Sequence, residues 1–338
     1  MGKTMKFDAD SLKPIAYVFQ CGVEDLAADK IYLLNGRTLQ SKDKGVVFTT
    51  QYGATDEKTM QLISVREGAE AREVTFENQF TIAAGTSAKI IICDHTASEH
   101  PFITQSINNI RLEEHAHLEI LFMQNEHNRS EHRTITTVEQ GSNSFFSCTV
   151  VTLYGGVVDN SFEVKLAGEG AACELNGLYL SDSKQRINNT VKVNHAVGEC
   201  FSRQLFKGIL DEQAVGFFNG HILVDKGAQK TEAYQANHSL LLTHTAKMFT
   251  QPHLEIYADD VKCSHGATIG RIDENALFYL RSRGVSLPEA RHLQQFAFAN
   301  DVLEKITVLP LRERTSALVE KRLRGELLPC ADCTCHCC

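Results

Sequence analysis

Between Lys30 and Ile269 the chain produces short apolar or alternating runs cut by Gly, Asn, Asp and Ser. The runs include Ile31–Leu34, Val46–Thr49, Ile90–Cys93, Leu118–Met123, Thr149–Leu153, Phe162–Leu166, Leu178–Leu180, His221–Val224 and Leu254–Tyr257. Each has the length of a strand and is rich in Val, Ile, Leu, Phe and Tyr, which pack well on a pleated surface. No intervening stretch carries the 3.6-residue apolar period of an amphipathic helix. That excludes a layout in which parallel strands alternate with long helices.

A loose internal repeat accompanies the runs. Ala171 precedes Asn176-Gly177 and a Leu-Tyr-Leu run, and Ala214 precedes Asn219-Gly220 and an Ile-Leu-Val run. The copies lie 43 residues apart (219 minus 176), consistent with two solenoid coils of roughly twenty residues each. A weaker copy runs from Ala246 through Gln251-Pro252 to Leu254. Turn residues recur in every all-β protein, so a sandwich competes with a solenoid, and the repeat tilts the balance only slightly toward the solenoid.

After Ile272 the texture changes. Asp273 is placed to cap a helix through Leu277 and Leu280, and Gly284 to end it. Pro288 suits a first helical turn, and Leu293, Phe296, Ala299, Leu303 and Ile306 follow at helical spacing. A third helix is expected over about Leu311 to Leu327. A helical cap is one way to cover the unpaired end of a long solenoid. The organisation predicted is a short N-terminal segment (1–29), a β core (30–269), a helical domain (270–328) and a Cys-rich tail (329–338).

Composition narrows the function classes. A formal net charge of −8 over 338 residues argues against nucleic-acid and anionic-lipid partners. Residues 1–11 carry charge and no apolar h-region, and the longest apolar stretch is too short to span a bilayer. Eleven cysteines, six scattered singly and five within the last nine residues, form no disulfide framework. Reduced thiols in a cytoplasmic setting are the expectation.

Gly2-Lys3-Thr4 lacks the strand and first glycine of a phosphate loop, and Gly168-Glu169-Gly170 reads as a turn. His115 and His117, at i and i+2, would share one face of a strand and reach one metal. Glu113, Glu114, Glu119, His127 and His132 lie near them, so a metal-dependent β-fold enzyme is the alternative function. Histidines on the polar face of a strand are the simpler reading. The tail offers Cys330, Cys333, Cys335, His336, Cys337 and Cys338 as soft ligands for zinc or an iron–sulfur species.

A longer run of words is more specific. It reads Asn189-Thr-Val-Lys-Val-Asn-His195, Ser202-Arg-Gln-Leu-Phe-Lys-Gly-Ile-Leu210, Phe218-Asn-Gly220 and Gly227-Ala-Gln-Lys-Thr231. It continues from Leu254 through Cys263-Ser-His-Gly-Ala-Thr268 to Leu277-Phe-Tyr-Leu-Arg-Ser-Arg-Gly284. This stretch resembles the SufD family, subunits of an iron–sulfur assembly complex. The similarity is dense over about Asn188 to Ile306 and faint upstream, where Asn35-Gly36-Arg37 also fits.

The resemblance implies a right-handed parallel β-helix followed by a C-terminal helical domain. It implies a scaffold and not an enzyme, pairing with a SufB-like paralogue, with a SufC-like ABC ATPase docked on the helices, where Arg281 and Arg283 are the expected contacts. It implies a homodimer when the paralogue is absent. The cofactor implied is a nascent iron–sulfur cluster, transient at the interface with the paralogue and not tightly held by the isolated chain. His265 corresponds to the family's interface histidine, with Cys263 two positions away. A neutral imidazole and a thiolate suit iron, although Cys263 also reads as a small buried hydrophobe. Two features depart from the family: strands begin early, by Lys30, and the Cys-rich tail is not shared.

Overall fold

The computed structural model describes residues 28–327 apart from 39–42, 55–56, 68–71, 97 and 99. The tail residues Cys330, Cys333, Cys335, His336, Cys337 and Cys338 lie outside the described residues, so the metal expectation there is not addressed.

Eighteen strands and three helices follow in order. The first nine strands are β1 (Asp29–Leu34), β2 (Arg37–Thr38), β3 (Val47–Thr49), β4 (Lys58–Arg66), β5 (Arg72–Ile82), β6 (Ser87–Thr96), β7 (Phe102–Leu112), β8 (His117–Asn125) and β9 (Glu131–Gln140). Then come β10 (Phe145–Tyr154), β11 (Val157–Leu166), β12 (Ala172–Ser181), β13 (Arg186–His195), β14 (Phe201–Leu210), β15 (Val215–Val224), β16 (Thr231–Leu241), β17 (Lys247–Ile256) and β18 (Val261–Gly270). The helices are α1 (Glu274–Ser282), α2 (Leu287–Leu303) and α3 (Leu309–Leu323).

From β3 onward, strands alternate between two parallel sheets, one running β4-β6-β8 to β18 and the other β3-β5-β7 to β17. This is a parallel β-solenoid with two strands per coil, and the sandwich is excluded. One coil is 26 to 32 residues, as the pairings Val157↔Glu131 and Val47↔Gln79 give. The expected twenty-residue coil is therefore wrong. Asn176 lies on β12 and Asn219 on β15, in opposite sheets, so the copies 43 residues apart are not stacked neighbours. The weaker copy is the real neighbour, because Asn219 pairs with Gln251 and Gly220 with Pro252.

Side chains pointing into the solenoid form one apolar column, including Leu62, Ile92, Leu118, Phe122, Phe146, Val164 and Phe206. Strands of the even sheet are apolar on both faces. Their outward residues Ile63, Ile91, Leu121, Met123, Leu153 and Leu180 pack against Val302, Leu303, Leu318 and Val319. The helices thus lie along the side of the solenoid and do not cap its end, which corrects the expected cap. A strand buried on both faces needs a second covering layer, and α2 and α3 supply it. Arg322 fastens this layer: its Nε donates to the Leu153 carbonyl at 2.9 Å, and its Nη1 lies 2.7 Å from Asp182.

The helix termini follow the expected chemistry. The Asp273 carboxylate accepts from the amides of Asn275 and Ala276, and the Ser286 hydroxyl accepts from that of Glu289. No helix among the described residues is long and apolar enough to cross a membrane.

The two ends of the solenoid differ. At the first coil Asn35 and Gly36 both adopt positive φ (50° and 75°), the two-residue turn that folds β2 back antiparallel onto β1. That hairpin covers the edge of the even sheet. At the last coil β17 and β18 are the terminal strands of their sheets.

Candidate functional site

The site is built on this open last coil. In a parallel ladder, residues directly opposite point the same way. Cys263 pairs with Ala233 and His265 with Gln235, both buried inside the solenoid. Cys263, His265, Ala267 and Ile269 therefore continue the inward-facing row of β16, and no further coil among the described residues covers them. On β17 the continuation of buried Phe218, Gly220, Ile222 and Val224 is Thr250, Pro252, Leu254 and Ile256. The outcome is an open mouth: His265 and Ala267 are exposed, and Ile256 and Ile269 keep 39% and 47% of their surface in water.

Cys263 is half-buried against Leu254, Val261 and Ala233. Burial pushes its thiol above the ordinary value, opposed by a backbone hydrogen bond at Ala233. In the isolated chain it is a protonated thiol and a poor nucleophile at neutral pH. His265 sits in the open, one inward position further along the same strand. The structure thus brings both expected site residues to one face of one strand, on a free edge.

Beneath His265 the lumen is polar. Gln235 Nε2 donates to Gln204 Oε1 at 2.8 Å, while Gln235 Oε1 is buried without a hydrogen-bond partner. Gly220 from the opposite sheet makes room, since a Cβ there would lie 2.3 Å from Gln235 Nε2. Sequence reading did not find this glutamine pair. Its signal was the recurrence of Gln at 204 and 235, one coil apart.

Among the described residues no strand pairs with the outer edge of β18, and Lys262 is its one lysine. β17 carries Pro252, a residue that occurs in sheets only at edges or bulges, but the ten residues of β18 contain no proline. A long unprotected edge strand is a template for pairing with another strand.

Arg281 lies on α1 and Arg283 is its C-cap, both exposed, with the Arg283 guanidinium 5.0 Å from the centre of the Tyr279 ring. They stand away from the charged face between α2 and α3, where Glu304, Arg312, Glu313 and Glu320 line an open groove.

The histidine pair does not form the expected strand site. His115 is not on a strand: its φ of 57° places it in a corner turn, at the position held in other coils by Gly85, Asn143, Gly170, Glu199 and Lys230. Its imidazole is exposed beside Glu114, whereas His117 opens β8 and packs on Phe145 with ring centres 4.7 Å apart. Among the described residues one group has the makings of a metal set, Asp94, Glu126 and His132, and it excludes both histidines of the pair.

The architecture defines a class: a parallel β-solenoid with laterally docked helices and one open end bearing a thiol and an imidazole. Residues 65–298 match the family model described as SUF system FeS cluster assembly, SufBD core domain. The chain belongs to this family. It is 31% identical to the iron–sulfur cluster assembly protein SufD of Escherichia coli over 276 residues, 81% of this chain and 65% of that protein. It is 34% identical to a SufBD family protein of Synechocystis over 74% of this chain and 55% of that protein. It is also 33% identical to the chloroplastic protein ABCI7 of Arabidopsis thaliana, over 62% and 45% of the two chains. The chain spans roughly half to two thirds of the length of these relatives.

Proposed function

We propose that the chain is a scaffold subunit of iron–sulfur cluster assembly whose open solenoid end pairs with the corresponding end of a SufB-like paralogue. The observation that carries this reading is the last coil. Its inward row is uncovered, its β18 edge is free, and the two residues suited to iron, Cys263 and His265, lie on that row. Pairing of two such ends would bury Ile256 and Ile269 and enclose the thiol and imidazole at the junction. The cluster is then cargo held between chains, not a resident group of either.

The chain itself performs no catalysis in this account. ATP hydrolysis is assigned to a SufC-like ATPase docked on the helices. The charged groove between α2 and α3 and the exposed Arg281 and Arg283 supply a polar surface for it. The setting proposed is the cytoplasm, with a homodimer through the same end when the paralogue is missing.

The test is made in cells that depend on this pathway alone. His265→Ala is expected to leave the protein at wild-type abundance and to depress the activity of iron–sulfur enzymes. Normal enzyme activity in those cells would refute the assignment of His265.

A further inference from the structure

Four charged or ionisable side chains meet inside the solenoid, at the corner where β4, β6 and β8 end and β9 begins. Arg66, Asp94, Glu126 and His132 are each at most 3% exposed. Arg66 Nη2 lies 2.8 Å from Asp94 Oδ1 and 3.4 Å from Glu126 Oε1. Its Nε donates to Thr104 at 3.2 Å and its Nη1 to Ser64 at 2.6 Å. Two carboxylates against one guanidinium leave a negative charge in the core while the imidazole is neutral. Uncompensated charge is costly in such surroundings.

The three remaining groups share one pattern. Each has one polar atom tied by a hydrogen bond, while the other meets the cluster only through ion-pair contacts, Asp94 Oδ2 with His132 Nε2 at 3.8 Å and Glu126 Oε1 with Arg66 Nη2 at 3.4 Å. Asp94 Oδ1 is held by Arg66, leaving Oδ2. Glu126 Oε2 is bonded to the Thr96 hydroxyl, and Oε1 has no hydrogen-bond partner. His132 Nε2 lies 3.0 Å from the Thr134 hydroxyl, and Nδ1 has no hydrogen-bond partner. Nδ1 and Glu126 Oε1 are 3.1 Å apart, an ion-pair contact when the ring is protonated and a separation that two ligands on one ion also take. One ligand atom from each of the three residues falls within 4.8 Å of the others. Partners that fix the far atom of a ligand, as Arg66, Thr96 and Thr134 do here, are the usual outer shell of a metal site.

We propose that Asp94, Glu126 and His132 bind a divalent cation inside the solenoid, of the class that takes mixed oxygen and nitrogen ligands, such as Mn2+ or Fe2+. Two carboxylates and an imidazole suit these ions, whereas the thiols of the tail favour softer ones. The site is internal and separate from the open end, so it acts on the solenoid and not at the cluster interface.

The full chain is stripped with chelator and titrated with Mn2+ at neutral pH, and the six-line resonance of free Mn2+ is followed. One equivalent is expected to be withdrawn from the free signal, and thermal unfolding to move upward in its presence. Glu126→Gln is expected to abolish both effects, and replacing the five tail cysteines by serine to change neither. Because Glu126→Gln removes a buried charge that Arg66 pairs with, Thr134→Val is the second variant, one that leaves the ion pair intact. With its circular dichroism unchanged, it is expected to weaken binding about 10- to 100-fold. Failure of the wild-type chain to withdraw Mn2+, or withdrawal unaltered in Glu126→Gln, would overturn the site. The cluster would then be an ion-pair network closed by an imidazolium.

Discussion

His265 lies directly opposite Gln235 in the parallel ladder between β18 and β16, and Gln235 lies opposite Gln204 in the ladder below. The imidazole therefore stands at the top of a polar column inside an otherwise apolar solenoid. Being exposed, His265 contributes little to folding, and His265→Ala should change unfolding free energy by no more than about 0.5 kcal/mol. The support beneath it is different. Gly220→Ala would push a methyl into the Gln235 amide, and the overpacking should cost about 1–3 kcal/mol in urea denaturation.

Cys263 should react as a partly shielded thiol. Burial raises it above the ordinary value, so the thiolate fraction is reduced below and around that value and recovers only at higher pH. Alkylation followed by peptide mass spectrometry should therefore be slower in the folded chain than in urea at pH 8. Equal rates in the two states would contradict the burial. Cys93, Cys148, Cys173 and Cys200 are buried and should be slower still.

His195 makes stability depend on pH. Burial pulls its imidazole from 6.5 down to about 4, with Nε2 2.8 Å from the Ser202 hydroxyl. Above pH 6.5 the ring is neutral in folded and unfolded chains alike, and its contribution is complete. As pH falls from 6.5 towards 4 the unfolded chain takes up a proton that the folded chain resists, so stability is lost, by about 3 kcal/mol at most. Denaturation at pH 7 and pH 4.5 should show that loss in the wild type and a smaller one in His195→Gln.

The helical layer should depend on Arg322. Its guanidinium sits 4.0 Å from the centre of the Tyr154 ring and bonds both Leu153 and Asp182. Asp182 is partly exposed, which reduces the cost of losing its partner. Arg322→Ala should destabilise by about 1–3 kcal/mol and raise amide exchange selectively in α3.

Much of this architecture is legible in the residues. The strand runs, the cap at Asp273 and the placement of Pro288 follow from local chemistry and recur in the fold. The coil length does not, because Asn176-Gly177 and Asn219-Gly220 use similar words on opposite sheets. The side docking of α2 and α3 had a signal in Ile120–Met123, an unbroken apolar run that alternation would not produce. His115 was misplaced because a corner turn tolerates a left-handed residue that spacing alone assigns to a strand. The Asp94, Glu126 and His132 cluster is assembled from separate strands and connections, so only the stacking of coils brings it together. At the open end Cys263 and His265 stand two residues apart, and their shared face follows from strand geometry alone.

The central claim is that the open end of the solenoid is an interface within an assembly complex. Co-expression of the tagged chain with a SufB-like paralogue and a SufC-like ATPase, followed by size-exclusion chromatography, tests it most directly. The account predicts one peak containing all three chains, with Cys263 more protected from alkylation than in the isolated subunit. Elution of this chain alone, with Cys263 as reactive as before, would contradict it.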